Sequence, residues 1–339
     1  VAHIPTLFQR PDKIEKPLYV LTTVFNSVRY RSRWKIYEDF ARSCENTGAI
    51  LYTCEVAFGE REFAITQAGN PRHLQLRTSH ELFYKENTQN LLAQRLPADA
   101  AYIACMDADI ALMRRDWADE TIHQLQHFPV VQMFSEIHNL DSNHELMSGG
   151  QSFATTWKKQ EIQKFQKMMD PSCQPYPYSM TGVKYPGPPG GDFAYRREAW
   201  DGLGGLLDFC VLGSADLYMA FGLIGLADKL PWKKFHPAYP EQIVNWMRRA
   251  QTTQWQERPL AGNVGVVPGL AMHYWHGSWV GRQYNTRNNI LIRNQFNPLV
   301  DLKRDRQGLY QLTSNNPQLR RDIQKYFSDR NEDIPTIKS

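Results

Sequence analysis

Apolar and polar positions divide the first 135 residues into short continuous apolar runs and longer stretches with helical spacing. Leu18 to Val24 is apolar and β-rich, which predicts a buried strand. It runs into a polar turn, Phe25-Asn-Ser-Val-Arg29-Tyr30, followed by helical spacing at Trp34, Ile36, Tyr37, Phe40 and Ala41. That helix stops at Asn46-Thr-Gly48, where glycine suits the C-terminal cap. Ala49 to Val56 predicts a second strand with Glu55 near its end, and His73 to Leu76 a third. Thr78 and Glu81 form a capping box for a helix reaching about Arg95, closed by Pro97. Residues 100–106 are too short for a helix and read as a fourth, fully buried strand. Met113 to Trp117 opens a helix reaching about His127, and Val130 to Phe134 is a fifth strand. This alternation is that of a doubly wound α/β half-sheet. Ligands of such sheets sit beyond the carboxyl ends of the strands where strand order reverses, so Asn26, Arg29, Glu55 and Asp109 are expected to converge.

Two polar intrusions carry candidate chemistry. Lys85-Glu-Asn-Thr-Gln-Asn90 places six polar residues in a row, and consecutive residues point all round a helix, so solvent cannot take them all. Lys85 or Asn90 is therefore expected to line a cleft. The apolar run from Ala101 ends in Asp107-Ala-Asp109, and an unpaired carboxylate in an apolar core is prohibitively costly, so these acids belong at a rim. Asp-x-Asp suits a hard divalent cation whose other oxygen ligands include nucleotide phosphates. The blander alternative, an acid pair capping the next helix, stands beside it because the motif is short.

From about Leu140 to Pro189 the pattern loosens, and Gln174 to Pro189, rich in proline and tyrosine, reads as a loop over a cleft. Gly190 to Trp200 predicts a strand leading into a short helix, followed by Gly202-Leu-Gly-Gly205 and Leu207-Asp208. Gly213-Ser-Ala-Asp216 opens an apolar helix, Leu217 to Leu226, where Asp216 in the first turn has at least a dipole role of roughly 0.3 to 1 kcal/mol. Gly265 to Met272 is a last strand, ending in His273-Tyr-Trp-His-Gly-Ser278. A histidine there suits a third metal ligand, although a lone histidine is more often structural, and Arg282 and Arg287 beyond it could grip phosphate bidentately. The tail is helical near Pro317 to Arg330 and is expected to pack back on the domain.

The 339 residues suffice for one large domain or two smaller ones, and 42% apolar with 12% aromatic content is globular. No apolar run approaches the ~20 residues of a membrane span, and Val1 to Arg10 lacks a signal-peptide core. Cysteines at 44, 54, 105, 173 and 210 lack the spacing of a disulfide framework or zinc cluster, so a reducing cytoplasm is expected. Net charge is +4, yet residues 231–339 hold 16 Lys/Arg against 8 Asp/Glu, a basic end suited to a polyanion or to plain solvation. Neither G-x-G-x-x-G nor a Walker sequence is present, so phosphate neutralisation falls to metal and basic side chains.

Taken together, Thr22-Thr-Val-Phe-Asn26, Lys85-Glu86 with Asn90 and Leu96-Pro97, Asp107-Ala-Asp109-Ile110 followed by Trp117, and His276-Gly277-Ser278 with Arg282, Tyr284 and Arg287 resemble a GT-A-fold glycosyltransferase, specifically a phage and bacterial group of that class. The resemblance runs from Leu18 to about Asp333. It implies an α/β fold of GT-A type, a Rossmann-like mixed sheet flanked by helices with an acceptor-side subregion fused to it. The corresponding division is 1–135 for the nucleotide-sugar half, 136–296 for the acceptor side with the metal-binding histidine, and 297–339 for the helical tail. It further implies Mn2+ or Mg2+ held with a nucleotide-sugar diphosphate by Asp109 and His276, with Asp107 on the ribose or the metal's waters. His276 fits better than His273 because Gly277 and Ser278 follow it. Thr23, Phe25, Asn26, Arg29 and Glu55 would hold the nucleotide, with Lys85, Asn90, Asp107, Ser278, Arg282 and Arg287 completing the donor site.

The stretch from Gly190 to Asp216 resembles an acceptor side that ends, in many inverting members, in Glu-Asp, and here the first acid is Ala215. Asp216 keeps the position of the base. The implied donor is UDP-linked, and the resemblance to phage proteins makes a hydroxymethylated pyrimidine in DNA one candidate acceptor, in the host cytoplasm if the chain is phage-encoded. Tryptophans 232, 246, 255, 275 and 279 beside Lys233-Lys234 and Arg248-Arg249 would suit sugar rings or bases. A glycan or small alcohol is the alternative acceptor, a retaining mechanism stays open, and a pyrophosphorylase or a nucleotide-sugar-binding protein without turnover is the alternative function.

Overall fold

Alternate residues of the first strand, Leu18–Phe25, serve opposite faces of a sheet. Leu18, Val20 and Val24 join Tyr37, Phe40 and Cys44 of the helix Ser32–Asn46 in one apolar cluster, while Tyr19, Leu21 and Phe25 join Leu92 and Ala93 of the helix Lys85–Ala93 in another. A strand buried on both faces shows no polar/apolar alternation, which is why Leu18–Phe25 reads as one run interrupted only by Thr22 and Thr23. In the computed structural model the described residues are 16–159, 187–226, 234–278, 280–284 and 286–333.

In chain order the strands are β1 (Leu18–Phe25), β2 (Ile50–Phe58), β3 (His73–Thr78), β4 (Tyr102–Cys105), β5 (Ile110–Leu112), β6 (Val130–Gln132), β7 (Glu136–Leu140), β8 (Leu146–Gln151), β9 (Phe193–Arg196), β10 (Gln254–Trp255), β11 (Arg258–Pro259), β12 (Val264–Val266), β13 (Leu270–His273), β14 (Leu302–Arg304) and β15 (Tyr310–Leu312). The main sheet has seven strands in the order β12-β6-β9-β4-β1-β2-β3, and β9 alone runs against the rest. The expected mixed α/β architecture, a central mixed sheet between helical layers, is therefore present, with strand order reversing at the β1–β4 junction. A second sheet, β5-β13-β7-β8, stands beyond β4. The helix Pro317–Asp329 adds Leu319, Ile323, Tyr326 and Phe327 to the cluster of Tyr19, Leu21 and Phe25.

Three elements differ from expectation. The helix placed from Ser79 begins at Lys85, because Thr78 Oγ1 accepts from the His80 N–H at 3.1 Å in a local turn and Glu81 is engaged by Gln324 at 2.8 Å. The stretch Gly265 to Met272 is two strands in different sheets, β12 and β13, parted at Pro268, which has no N–H for a ladder. The loosely patterned region from about Leu140, where β7 ends, holds β8 and the helix Phe153–Lys158; five of the six residues of β8 are exposed, so it carries no alternation to read. The boundary at 135/136 falls between β6 and β7, and β9 and β12, from beyond it, pair within the main sheet.

Candidate active site

Beyond the carboxyl ends of β1 and β4 lies a cavity of about 740 Å³. Its lining brings together Thr23 and Phe25 from the end of β1, Lys85 and Glu86 from the first turn of their helix, Asp107 and Asp109 after β4, and His273 and His276 at and after β13. Asp216 and Ser214 also line it, and Arg33, Arg282, Arg287 and Arg330 contribute cationic wall.

Asp109, His273 and His276 form a cluster whose ligand atoms lie within 4.8 Å of one another. His276 Nδ1 is 3.2 Å from Asp109 Oδ2, and His273 Nε2 is 3.9 Å from Asp109 Oδ1. The amide of Asn139, whose Nδ2 donates to Ser148 Oγ at 3.0 Å, presents Oδ1 to His273 Nδ1 at 2.8 Å. His273 Nδ1 therefore carries the proton, leaving the Nε2 lone pair toward Asp109, the second-sphere arrangement common to metal-binding histidines. Burial, reinforced by the Arg282 charge, lowers His273 to about 3 and holds His276 well below its ordinary value, so both imidazoles are neutral. One carboxylate and two neutral imidazoles fit a divalent ion, with the cavity side open to further oxygen ligands.

The surrounding acids press the same way. Burial raises the Asp109 carboxyl, with Arg33, Lys85 and Arg282 opposing. Asp107 is raised by burial and opposed by Lys85, whose Nζ lies 3.0 Å from its carboxylate. Asp192, fully buried, takes the Asp107 N–H on Oδ1 at 2.8 Å, and burial and the Asp107 charge push its carboxyl well above the usual range. Burial alone would lower Lys85, but Asp107 and Glu86 overcome it and keep the ammonium charged. Carboxyls that mutually raise one another around an Asp/His/His cluster are relieved by a cation at its centre.

Arg282 Nη1 donates to Tyr284 OH at 3.1 Å and to His276 Nε2 at 2.8 Å, which leaves the His276 proton on Nδ1, so His276 ligates an ion only when Arg282 gives up this bond. Arg287 Nη2 donates to Ser214 Oγ at 2.8 Å. Ser214 holds φ of 78°, a left-handed conformation that costs a non-glycine residue of order 1 kcal/mol or more, and it stands two residues before Asp216. Across the wall, Glu332 takes Arg33 Nε at 2.6 Å and Arg330 Nε at 2.7 Å, tying the C-terminal segment to the helix Ser32–Asn46. Gly277, at φ of 102°, lets that segment approach: a Cβ there would stand 3.1 Å from the Arg330 carbonyl oxygen.

Of the residues expected from sequence, Thr23, Phe25, Lys85, Asp107, Asp109, Asp216, His276, Arg282 and Arg287 meet in this cavity, and Asn26, Arg29, Glu55, Asn90 and Ser278 lie outside its lining. Asn26 staples its own turn, accepting the Tyr30 N–H at 2.9 Å and donating to the Tyr30 carbonyl at 2.7 Å, and Arg29 is exposed. Glu55 accepts from the backbone N–H groups of Ala64, Ile65 and Thr66 and from Thr66 Oγ1, so it anchors a loop. Asn90 fastens the Leu206 backbone, accepting its N–H at 2.8 Å, and Ser278 Oγ accepts the Gly281 N–H at 3.0 Å. Asp107 is outside the three-ligand cluster and is held by Lys85 instead. Trp246 is buried, donating to the Gly205 carbonyl at 2.9 Å, so it takes no part in a surface array; Trp232, Lys233, Trp279 and 174–186 lie outside the described residues. Sequence reasoning ranked His273 below His276 and passed over Asp192, Arg33 and Arg330. The spacing of two histidines across the end of one strand was a usable signal, whereas nothing local marks Arg33 or Arg330.

No family model and no curated protein matches the chain. Among solved structures it is similar to the catalytic domain of Drosophila β1,4-galactosyltransferase 7 in complex with xylobiose, with TM-score 0.32 and 11% identity over 74% of this chain and 65% of that one, just under two thirds of its length. A mutant of that Drosophila enzyme in complex with manganese, UDP-Gal and xylobiose gives TM-score 0.37 and 12% identity over 85% of each chain. A nucleotide-diphospho-sugar transferase structure from Desulfovibrio desulfuricans G20 gives TM-score 0.31 and 10% identity over 83% of this chain and 97% of that one. No helix among the described residues is long and apolar enough to cross a membrane.

Proposed function

We propose that the chain is a metal-dependent glycosyltransferase of GT-A type that moves a hexose from a nucleoside-diphosphate sugar, UDP-linked in the first instance, to an acceptor hydroxyl. The observation that carries this reading is the Asp109–His273–His276 cluster, which lines one cavity together with four arginines and Asp216. Asp109, His273 and His276 would hold the ion, and their two imidazoles suit Mn2+ better than Mg2+, which prefers oxygen. Bound there, a divalent cation supplies neutralisation of the charge that develops on the departing diphosphate, typically several kcal/mol. Arg282 and Arg287 would pair with phosphate oxygens bidentately, and Thr23 and Phe25 would flank the nucleoside. Asp216 takes the acceptor proton as the acceptor oxygen attacks the anomeric carbon from the face opposite the diphosphate, which gives inversion. A positioned base of this kind contributes about 10² to 10⁴-fold. The acceptor is a saccharide hydroxyl or a hydroxymethylated pyrimidine in DNA, and the latter would have to be flipped out or met single-stranded.

The test is a nucleotide-release screen across UDP-, GDP- and dTDP-sugars with Mn2+, Mg2+ or EDTA, with xylobiose or hydroxymethylcytosine DNA as acceptor, repeated on Asp109→Ala. Release of the nucleoside diphosphate that needs metal and vanishes in Asp109→Ala supports the reading. Metal-dependent binding without turnover makes the chain a binding protein, and cleavage at the α-phosphate makes it a nucleotidyltransferase.

A further inference from the structure

Glu86 is a buried acid whose carboxyl no side chain of the described residues hydrogen-bonds. It is 3% exposed in the first turn of the helix Lys85–Ala93. The nearest cation, Lys85 Nζ, stands 3.8 Å away and is already held at 3.0 Å by Asp107. Its own backbone N–H bonds the carboxyl, but with no side-chain donor the burial remains costly, and an acid that only filled space would be replaced at a gain by an apolar residue.

Its surroundings indicate what it is for. Glu86 and Asp216 both line the large cavity, and both line a niche of about 20 Å³ that opens beside it. Gln89 also lines that niche; it is 1% exposed and its Oε1 has no hydrogen-bond partner. The remaining niche wall is largely apolar, including Phe193, Met219 and Leu223. The charged groups acting on Glu86 are Lys85 on its own helix, Asp216 from the facing helix Ala215–Leu223 and Asp107 after β4. Burial, opposed by Lys85 and assisted by Asp216, pushes its carboxyl up to about 7. A carboxyl near neutrality is a better proton acceptor at physiological pH than an ordinary one.

We propose that Glu86 is a second catalytic residue of the acceptor end, binding the acceptor hydroxyl together with Asp216 so that the two carboxyls share its proton. This rests on the glycosyltransferase reading. In the transfer step the bond from acceptor oxygen to anomeric carbon forms and the bond from anomeric carbon to diphosphate oxygen breaks. The electron pair leaves on the diphosphate, and the acceptor proton is retained on the Glu86–Asp216 pair until it is released to water.

The full-length chain is assayed with MnCl2 and UDP-galactose, with water alone or xylobiose as acceptor, as wild type, Glu86→Gln and Glu86→Asp. UDP release gives kcat and acceptor KM, and titration gives the Kd for UDP and for Mn2+. Glu86→Gln is isosteric and neutral, so burial favours its folding, and a melting curve checks it. The expected result is a kcat reduced about 10- to 100-fold, loss of the pH–rate inflection near neutrality, and Kd values for UDP and Mn2+ within two-fold of wild type, with partial recovery in Glu86→Asp. A Glu86→Gln rate and pH profile equal to wild type overturns the proposal, as does a fall in rate matched by a fall in UDP affinity, which would mean that Glu86 acts through Lys85 on the nucleotide. A wild type that releases no nucleoside diphosphate from any nucleotide sugar removes the transferase reading and this role with it. An active wild type with an indifferent Glu86→Gln removes only the role of Glu86.

Discussion

Glu332 is the buried counter-charge of the cavity wall, and Glu332→Gln isolates its contribution. The residue is 1% exposed and receives Arg33 Nε and Nη2 at 2.6 and 2.7 Å and Arg330 Nε at 2.7 Å. Burial works against its charge, but the two guanidiniums win and hold the carboxyl down from 4.5 to about 2. At about 1.4 kcal/mol per pH unit this displacement is worth roughly 3 kcal/mol, at the lower end of the ~3 to 5 kcal/mol typical of breaking a buried ion pair. The folded value lies below the unfolded one, so this stability is present in full above about pH 4.5 and is lost as pH falls toward 2. Urea unfolding of wild type and Glu332→Gln should therefore differ by about 3 kcal/mol at pH 7, a midpoint shift near 1 M at a slope of about 3 kcal/mol/M. By pH 3 the difference should shrink to about half. Equal midpoints at pH 7, or a difference that does not change with pH, would refute the assignment. Because Arg33 and Arg330 also line the cavity, UDP affinity should fall in the same variant.

Three further outcomes follow from the same geometry. His273→Ala and His276→Ala should each weaken Mn2+ binding about 10- to 100-fold by electron paramagnetic resonance titration, whereas an unchanged His273→Ala would restrict the cluster to Asp109 and His276. Glu55→Gln should cost about 2 kcal/mol in thermal or urea unfolding, because three backbone N–H groups and a hydroxyl share one carboxylate, while leaving UDP affinity unchanged. Gly190→Ala brings a Cβ against Asp216 Oδ2 at a backbone conformation open to alanine, so turnover should drop about tenfold with little change in melting temperature.

Short-range pattern made much of the molecule legible. The largely apolar run of β1 and the short one of β4 marked strands buried on both faces, and Asp107-Ala-Asp109 at the end of one of them marked where charge had to emerge. The six polar residues from Lys85 were rightly denied to solvent, since Glu86, Asn87, Thr88 and Gln89 are all buried. What failed was role assignment at equal chemistry. Glu55 and Asp109 both follow apolar stretches near strand ends, but Glu55 meets a loop's N–H groups and Asp109 meets two imidazoles.

By itself the sequence determined the strand and helix succession of the first 135 residues and the rim position of Asp107 and Asp109, because periodicity and the cost of buried charge act locally. Only the tertiary structure decided which polar groups share a cavity. The pairing of β13 beside β5 brings His273 and His276 to Asp109, and the return of the C-terminal helix sets Arg330 and Glu332 against Arg33. Such contacts join residues more than 150 positions apart, and their energies depend on burial and on the company each charge keeps, which no local stretch of sequence encodes.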